Sequence, residues 1–263
     1  MGCNRHLGAA GRALLALSLS PVVALAVEGV NLSWDTCFGE GNGVQNKSFA
    51  CDTNSGQEQL FGSFVLGTDA PLIAAMHSVL QLVSASAVLP EWWKFRYAGS
   101  CRLTSLSAND IYDPAWLVCQ PWAPESAGAF VAGYCTVSNP CFGFSLGDNV
   151  AEIHLVSALP VERARDLPAG VEHYVFTLVI NHAKTVGIGA CGGCATPACI
   201  IFTQVAVGSP DFADRVLNTP TSPGSNVVTW QGGAVPITRS SVTCPAATPT
   251  RNSTWGSVKS MYR

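Results

Sequence analysis

Ser145 sits in Gly143-Phe-Ser145-Leu-Gly147, the spacing that lifts a nucleophilic serine onto a sharp turn between a strand and a helix. Asp166, His173 and His182 follow it and supply acid and base candidates. The approach to the serine, Asn139-Pro140-Cys141, does not read as a strand, and Asp148 onward reads as another strand where the oxyanion hole needs a helix. Ser145 is therefore expected to mark a tight turn. Cys191-Gly-Gly-Cys194 has the spacing of a redox pair, or of half a zinc site completed by Cys199 and His182. It falls in a Gly-rich stretch between two strands and not at a helix start, so structural disulfides are expected. Asp52, Asn54 and Glu58 around Gly56 offer oxygens to calcium, but the glycine comes one position early for a calcium loop. An Asx-type turn after Cys51 accounts for them. No catalytic residue, metal site or cofactor is expected from these groups.

The aromatic residues lean toward binding. Trp92 and Trp93 are adjacent, and in an extended strand adjacent side chains point to opposite faces. One of them is then free to stack on a sugar ring or a partner, with Lys94, Arg96 and Arg102 as polar neighbours and Trp116 and Trp122 in the following loop. Trp92, Trp93, Arg96 and Trp116 are the ligand-binding candidates. The competing expectation is that both adjacent tryptophans are buried.

The elements that must position these residues are strands. β-Branched and aromatic residues alternate between turn clusters over Val30–Trp34, Gln59–Leu66, Ile73–Ser84, Ala129–Val137, Val150–Leu159, His173–Asn181, Cys199–Val207 and Asn226–Trp230. The alternation breaks within Ile73–Ser84, which predicts a bulge or bend there. His173–Asn181 is apolar on both faces and reads as a central strand, with Tyr174, Phe176, Leu178 and Ile180 toward the core and Val175, Thr177 and Val179 opposite. The best helix signal, Val161–Leu167, is one or two turns closed by Pro168. With no alternation of strands and helices, the fold expected is an all-β antiparallel sandwich, Ig-like or jelly-roll-like, stapled by disulfides.

Met1–Ala26 has the layout of a secretory signal: Arg5 and Arg12, an apolar run from Ala13 to Val23, and Ala24-Leu-Ala26 as a cleavage site. Its removal takes Cys3 and leaves ten of the eleven cysteines, an even number suited to an oxidising compartment. Loop closure favours local pairs, so Cys37–Cys51, Cys101–Cys119 and Cys135–Cys141 are expected. Cys191, Cys194, Cys199 and Cys244 then pair among themselves, with one short bridge in the 191–199 loop and one reaching Cys244. The signal also removes two of 14 basic residues and none of 17 acidic ones, leaving a net charge of −5. No basic tract follows a phosphate backbone, which argues against nucleic acid, and no later apolar run is long enough for a transmembrane anchor. Residues 27–244 read as the sandwich domain. A Pro/Thr/Ala-rich linker and short tail occupy 245–263. Asn31, Asn46 and Asn252 each open an N-x-S/T sequon.

Val30-Asn-Leu-Ser-Trp34 with Cys37, Phe49-Ala-Cys51-Asp-Thr-Asn-Ser-Gly56, Leu89-Pro-Glu-Trp-Trp93, Cys191-Gly-Gly-Cys194 with Cys199, and the terminal Trp255-Gly-x-x-Lys259-x-x-Tyr262-Arg263 resemble cysteine-rich secreted proteins of high-GC bacteria. The resemblance implies export and a shared fold, and transfers no activity and no catalytic residue. The expected function is an exported, non-enzymatic binding or structural module of the cell surface or extracellular space, with a protein or glycan partner. A carbohydrate-binding module using exposed tryptophan and a secreted serine hydrolase are the alternatives. Trp255, Val258 or Lys259, and Tyr262 fall at helical spacing, so the tail forms about two turns with one aromatic face. It is expected to serve as an address or attachment element. Deleting 253–263 should leave the melting temperature nearly unchanged and alter where the protein ends up. Lost stability with unaltered localisation would make the tail part of the fold.

Overall fold

The computed structural model describes residues 27–40, 43–115, 117–123, 128–141, 146–210 and 212–232. In chain order the strands are β1 (Gly29–Trp34), β2 (Asn46–Lys47), β3 (Gln57–Val65), β4 (Ala70–Ile73), β5 (Ala75–Ser84), β6 (Leu106–Asn109) and β7 (Gln120–Pro121). They continue with β8 (Ala129–Thr136), β9 (Val150–Ala158), β10 (Arg165–Leu167), β11 (Glu172–Asn181), β12 (Ala198–Ser209), β13 (Phe212–Leu217) and β14 (Val227–Trp230). One sheet runs β1-β3-β11-β6 with β7 beside β11, and the other runs β2-β14-β12-β5-β9-β8 with β13 beside β12. A small third sheet pairs β10 with β4. Pairing is antiparallel except at the short β2 and β7. The two large sheets pack as an all-β sandwich, and β1 meets β12 and β14 across the layer.

Alternation explains which side chains fill the space between the sheets. Leu60 and Phe64 of β3, Leu80 and Leu82 of β5, Ile153 and Leu155 of β9, and Ile200 and Phe202 of β12 are all nearly fully buried in one core. β1 is a sheet edge, but its outer backbone is not left open. Val30 N–H donates to Thr219 O and Leu32 N–H to Ser225 O, both at 2.8 Å, so the 219–225 segment covers it.

The expected break in the long third strand falls at Ala74, which separates β4 from β5. The helix expected over Val161–Leu167 is corrected: Val161–Arg163 makes a single 3-10 turn, and Arg165–Leu167 forms β10. So short a segment gains little from helix formation, and its backbone finds a ladder partner in β4 instead.

β11 is central, as expected, but its facing is corrected at two residues, Tyr174 and Val175. Its register against β3 shifts between Tyr174 and Phe176, where Tyr174 opposes Ser63 and Phe176 opposes Gly62. The extra residue, Val175, turns inward with Phe176, Leu178 and Ile180, and Tyr174 joins Cys37, Phe61, Leu117 and Cys119 on the outer face. Gly62 is what admits the Phe176 ring. A Cβ at that position would stand 2.1 Å from Phe176 Cζ. The ring then reaches Phe202 of the other sheet edge-on, with centroids 5.3 Å apart.

Cys135–Cys141 forms as expected, but the other two local pairs do not, and Cys191 and Cys194 pair outside the group of the last four cysteines. The bridges are Cys37–Cys119, Cys51–Cys194 and Cys101–Cys191, spanning 82, 143 and 90 residues. Cys199 is also disulfide-bonded, to a partner outside the described residues, where Cys244 and the tail lie as well. Loop-closure entropy favours local bridges only in a featureless chain. Here strand pairing brings the distant cysteines together first, and each long loop closed removes more disorder from the unfolded chain. Phe176→Ala should lower stability by about 3–5 kcal/mol in denaturant titration, because it empties space between the sheets. A midpoint matching wild type would contradict this packing.

Candidate functional site

The bulge that turns Tyr174 outward lies beside a concavity on the outer face of the five-stranded sheet. Beyond it, Thr177 and Val179 of β11 project outward beside Phe61, Gln59 and Gln57 of β3, and Asn109 of β6 lies across from Thr177. Together with Asp35, Ile111, Asp113 and Leu117 they line a groove of about 570 Å3. Its wall is the segment after β6, held by four local hydrogen bonds. Ile111 N–H donates to Asn109 Oδ1 at 3.1 Å, Ala115 N–H to Asp113 Oδ1 at 2.9 Å, and Leu117 N–H to Asp113 O at 3.1 Å. The Tyr112 hydroxyl donates to Leu117 O at 2.8 Å. Cys37–Cys119 fixes this wall to the end of β1, and the Tyr174 hydroxyl donates to Ile111 O at 3.1 Å from below. Burial raises the Tyr174 phenol well above its ordinary pKa, so it remains a donor.

The polar groups of the groove differ in how far they are committed. The Gln57 and Gln59 side chains are exposed and make no hydrogen bond among the described residues. Asp35, in a left-handed conformation at φ 73°, is paired through Oδ1 with Lys47 Nζ at 2.5 Å. Lys47 also reaches Glu58 at 3.3 Å and lies 5.1 Å from the centre of the Phe49 ring, so this cation is engaged on three sides. His182 Nε2 approaches Glu58 Oε1 at 3.1 Å, off the hydrogen-bonding direction.

A second polar cluster lies on the outer face of the seven-stranded sheet. Gln81 Nε2 donates to Glu152 Oε1 at 3.0 Å, and His154 Nε2 stands 3.2 Å from Glu152 Oε2. A carboxylate only accepts, so the network assigns the proton to His154 Nε2. Its Nδ1 then accepts from His77 Nε2 at 3.2 Å. The two rings are 22° from coplanar with centroids 5.5 Å apart, so the nitrogens meet head-on and do not converge on a point where a metal would sit. Among the described residues no group of three or more His, Cys, Asp or Glu is placed to hold a metal ion.

Trp92 and Trp93 follow the competing expectation and are both buried. Glu91–Trp93 is a 3-10 turn, not a strand, so the adjacent indoles do not take opposite faces, and both are 0% exposed. Each packs on Trp230, at centroid distances of 4.8 and 5.2 Å, and Trp92 Nε1 donates to Thr185 Oγ1 at 3.1 Å. Neither offers a face to a ligand. Arg96 is exposed at φ 60°, and its guanidinium donates to Leu106 O and Ala132 O at 3.3 and 3.4 Å. Trp116 and Ser145 lie outside the described residues.

Arg102 is buried, with its guanidinium 3.6 Å from the Trp92 ring centre and donating to the carbonyls of Trp92, Asn181 and Ala183. Burial pulls its pKa down to about 9, which leaves it charged at neutral pH.

The cysteines of the CxxC sequence are both in long-range disulfides, and Asn54 Oδ1 is taken by the N–H groups of Thr185 and Val186. Asn31 is 2% exposed, which closes its sequon in the folded protein, whereas Asn46 is exposed. Of the acid and base candidates, Asp166 accepts from Leu72 N–H, and His173 is buried against Phe64. Sequence reasoning missed Gln57, Gln59 and Asn109. The available signal was the pair of glutamines two apart at the start of a strand, which alternation places on the face opposite Leu60.

No family model matches the chain, and no curated protein matches it. Among solved structures, the cohesin module from the family 33 glycoside hydrolase of Clostridium perfringens ATCC13124 is similar at 6% identity and a TM-score of 0.35. The match covers 78% of this chain and 93% of that module. A likeness this distant carries no argument about the site. Among the described residues no helix is long and apolar enough to cross a membrane.

The buried imidazoles make stability depend on pH. Burial, then the neighbouring His154, lowers the His77 pKa below its ordinary 6.5 against an opposing pull from Asp214, and burial lowers that of His173. The hydrogen bond from His154 lowers Glu152. All three bind protons more readily when unfolded, so stability is full above the ordinary histidine value and falls as pH drops through and below it. The melting temperature should therefore decline from pH 7 toward pH 4. His77→Gln should flatten the upper part of that decline, and an unchanged slope would show that His77 contributes nothing to it.

Proposed function

We propose that this protein is an exported, non-enzymatic binding module that holds its ligand in the groove on the outer face of the five-stranded sheet. The observation that carries the reading is the pair of uncommitted glutamine side chains in a concavity whose wall is fixed by a disulfide and by its own hydrogen bonds. A wall fixed in this way receives a ligand without the entropic cost of ordering a loop, and only the glutamine side chains are ordered on binding. Export is supported by the signal-like first 26 residues and by a disulfide framework of a kind that persists in oxidising compartments. The resemblance to secreted proteins of high-GC bacteria points to a bacterial cell surface or its surroundings. The imidazole–carboxylate contacts favour structural roles over catalysis. Glu152 is held by Gln81, and Glu58 is shared with Lys47.

Labelled protein is expected to be retained on washed envelope material of the producing cells. Gln59→Arg places a long cation in the groove at an exposed position and should abolish retention with no change in melting temperature. Retention that survives this substitution would place the site elsewhere.

A further inference from the structure

We propose that the groove takes a neutral oligosaccharide, a step that rests on the binding-module reading above. Over the groove floor the backbone groups of β11 are spent on its ladders with β3 and β6, so a ligand there meets side chains. A peptide that binds by strand addition would lie in the plane of the sheet, along the end strand β6 or along residues 57–58 past the end of β1, and would leave the groove face unused. What remains is a row of groups suited to hydroxyls. The Gln57 and Gln59 side chains sit on one face of one strand, about 6.8 Å apart by strand rise. Each presents an amide donor and an amide acceptor side by side. A hydroxyl both donates and accepts, so a pair of neighbouring sugar hydroxyls engages a donor and an acceptor of one such amide together.

Charge decides against acidic ligands. Asp35 and Asp113 both line the groove, and Lys47, the cation beside Asp35, is shared between Asp35 and Glu58. A uronic acid, a sulfated sugar or a phosphate would bring its charge against carboxylates, and among the described lining residues there is no cation to meet it. Asp113 uses Oδ1 on Ala115 N–H, and its second oxygen is free to accept from a hydroxyl. The apolar part of the site suits the C–H face of a sugar ring. Val179 is half-buried between the polar groups, and Ile111 stands on the rim at 62% exposure. The volume falls in the range of small-ligand sites.

The test is a titration of the full chain, followed by NMR of the glutamine side-chain amides, with hexasaccharides of glucose, xylose and mannose and with an oligogalacturonate hexamer. At least one neutral hexasaccharide should shift the Gln57 and Gln59 amides, the acidic hexamer should not, and Gln59→Arg should weaken binding by roughly tenfold or more. A response to the acidic hexamer equal to that of the neutral sugars overturns the proposal. So does the absence of any shift with the neutral sugars at millimolar concentration. If the sugars fail while envelope retention still depends on Gln59, the sugar class falls and the groove stands. If retention is independent of Gln59, the groove itself falls.

Discussion

A single extra residue in β11 sets the two faces of the five-stranded sheet. Val175 and Phe176 both turn inward because Gly62, opposite Phe176 on β3, leaves space for an aromatic ring where any side chain would collide. The ring bridges to Phe202 and helps hold the layers together, so the bulge is fixed by core packing. The same shift sends Tyr174 outward. There its hydroxyl anchors Ile111 and its ring packs with Phe61, Leu117 and Cys119 beneath the groove wall. Core and groove are two consequences of one register change.

The second organising element is the aromatic seam at one end of the sandwich. Trp230 from the seven-stranded sheet stacks on Phe49 and meets Trp34, Trp92 and Trp93. Indole N–H groups are costly to bury unpaired, and three of the four find partners: Trp34 on Thr229 O, Trp92 on Thr185 Oγ1 and Trp230 on Cys194 O. Arg102 then fills a role that a carboxylate partner more often shares. A planar, weakly hydrated cation lies on Trp92 and ties three carbonyls from two segments, Trp92 in one and Asn181 and Ala183 in the other. The Cys101–Cys191 bridge closes over the neighbouring residues, so this end of the fold is locked covalently as well as by packing.

These two constraints leave different surfaces available for function. Trp92 and Trp93 are consumed inside the molecule, which removes these two as stacking platforms for a sugar. The open face presents amides, carboxylates and small apolar surfaces, groups that exchange bound water for ligand hydroxyls at little cost. The outer face of the seven-stranded sheet instead carries the head-on pair of His77 and His154 with Glu152. That pair is held together only while one imidazole remains neutral enough to accept.

The chain by itself determined the class of fold and most of its long strands, because period-two alternation over β1, β3, β5, β9, β11, β12 and β14 is a local property that burial of one face imposes. It also determined that cysteines would be bridged and that Ile73–Ser84 would not run as one unbroken strand, while the place of the break, Ala74, came from the structure. The short β2, β6, β7 and β10 carry too few residues for a period to register, and they form only because a neighbouring strand offers ladder partners. Which cysteines meet was decided by tertiary structure, since loop entropy ranks Cys37 with Cys51 while strand order brings Cys37 to Cys119. The fate of Trp92 and Trp93 was decided the same way. Pro90 and a 3-10 turn replaced the extended backbone that would have exposed one of them. The groove was the least legible part: Gln57 and Gln59 are ordinary strand residues until Asn109, Asp113 and Val179, distant in sequence, are folded around them.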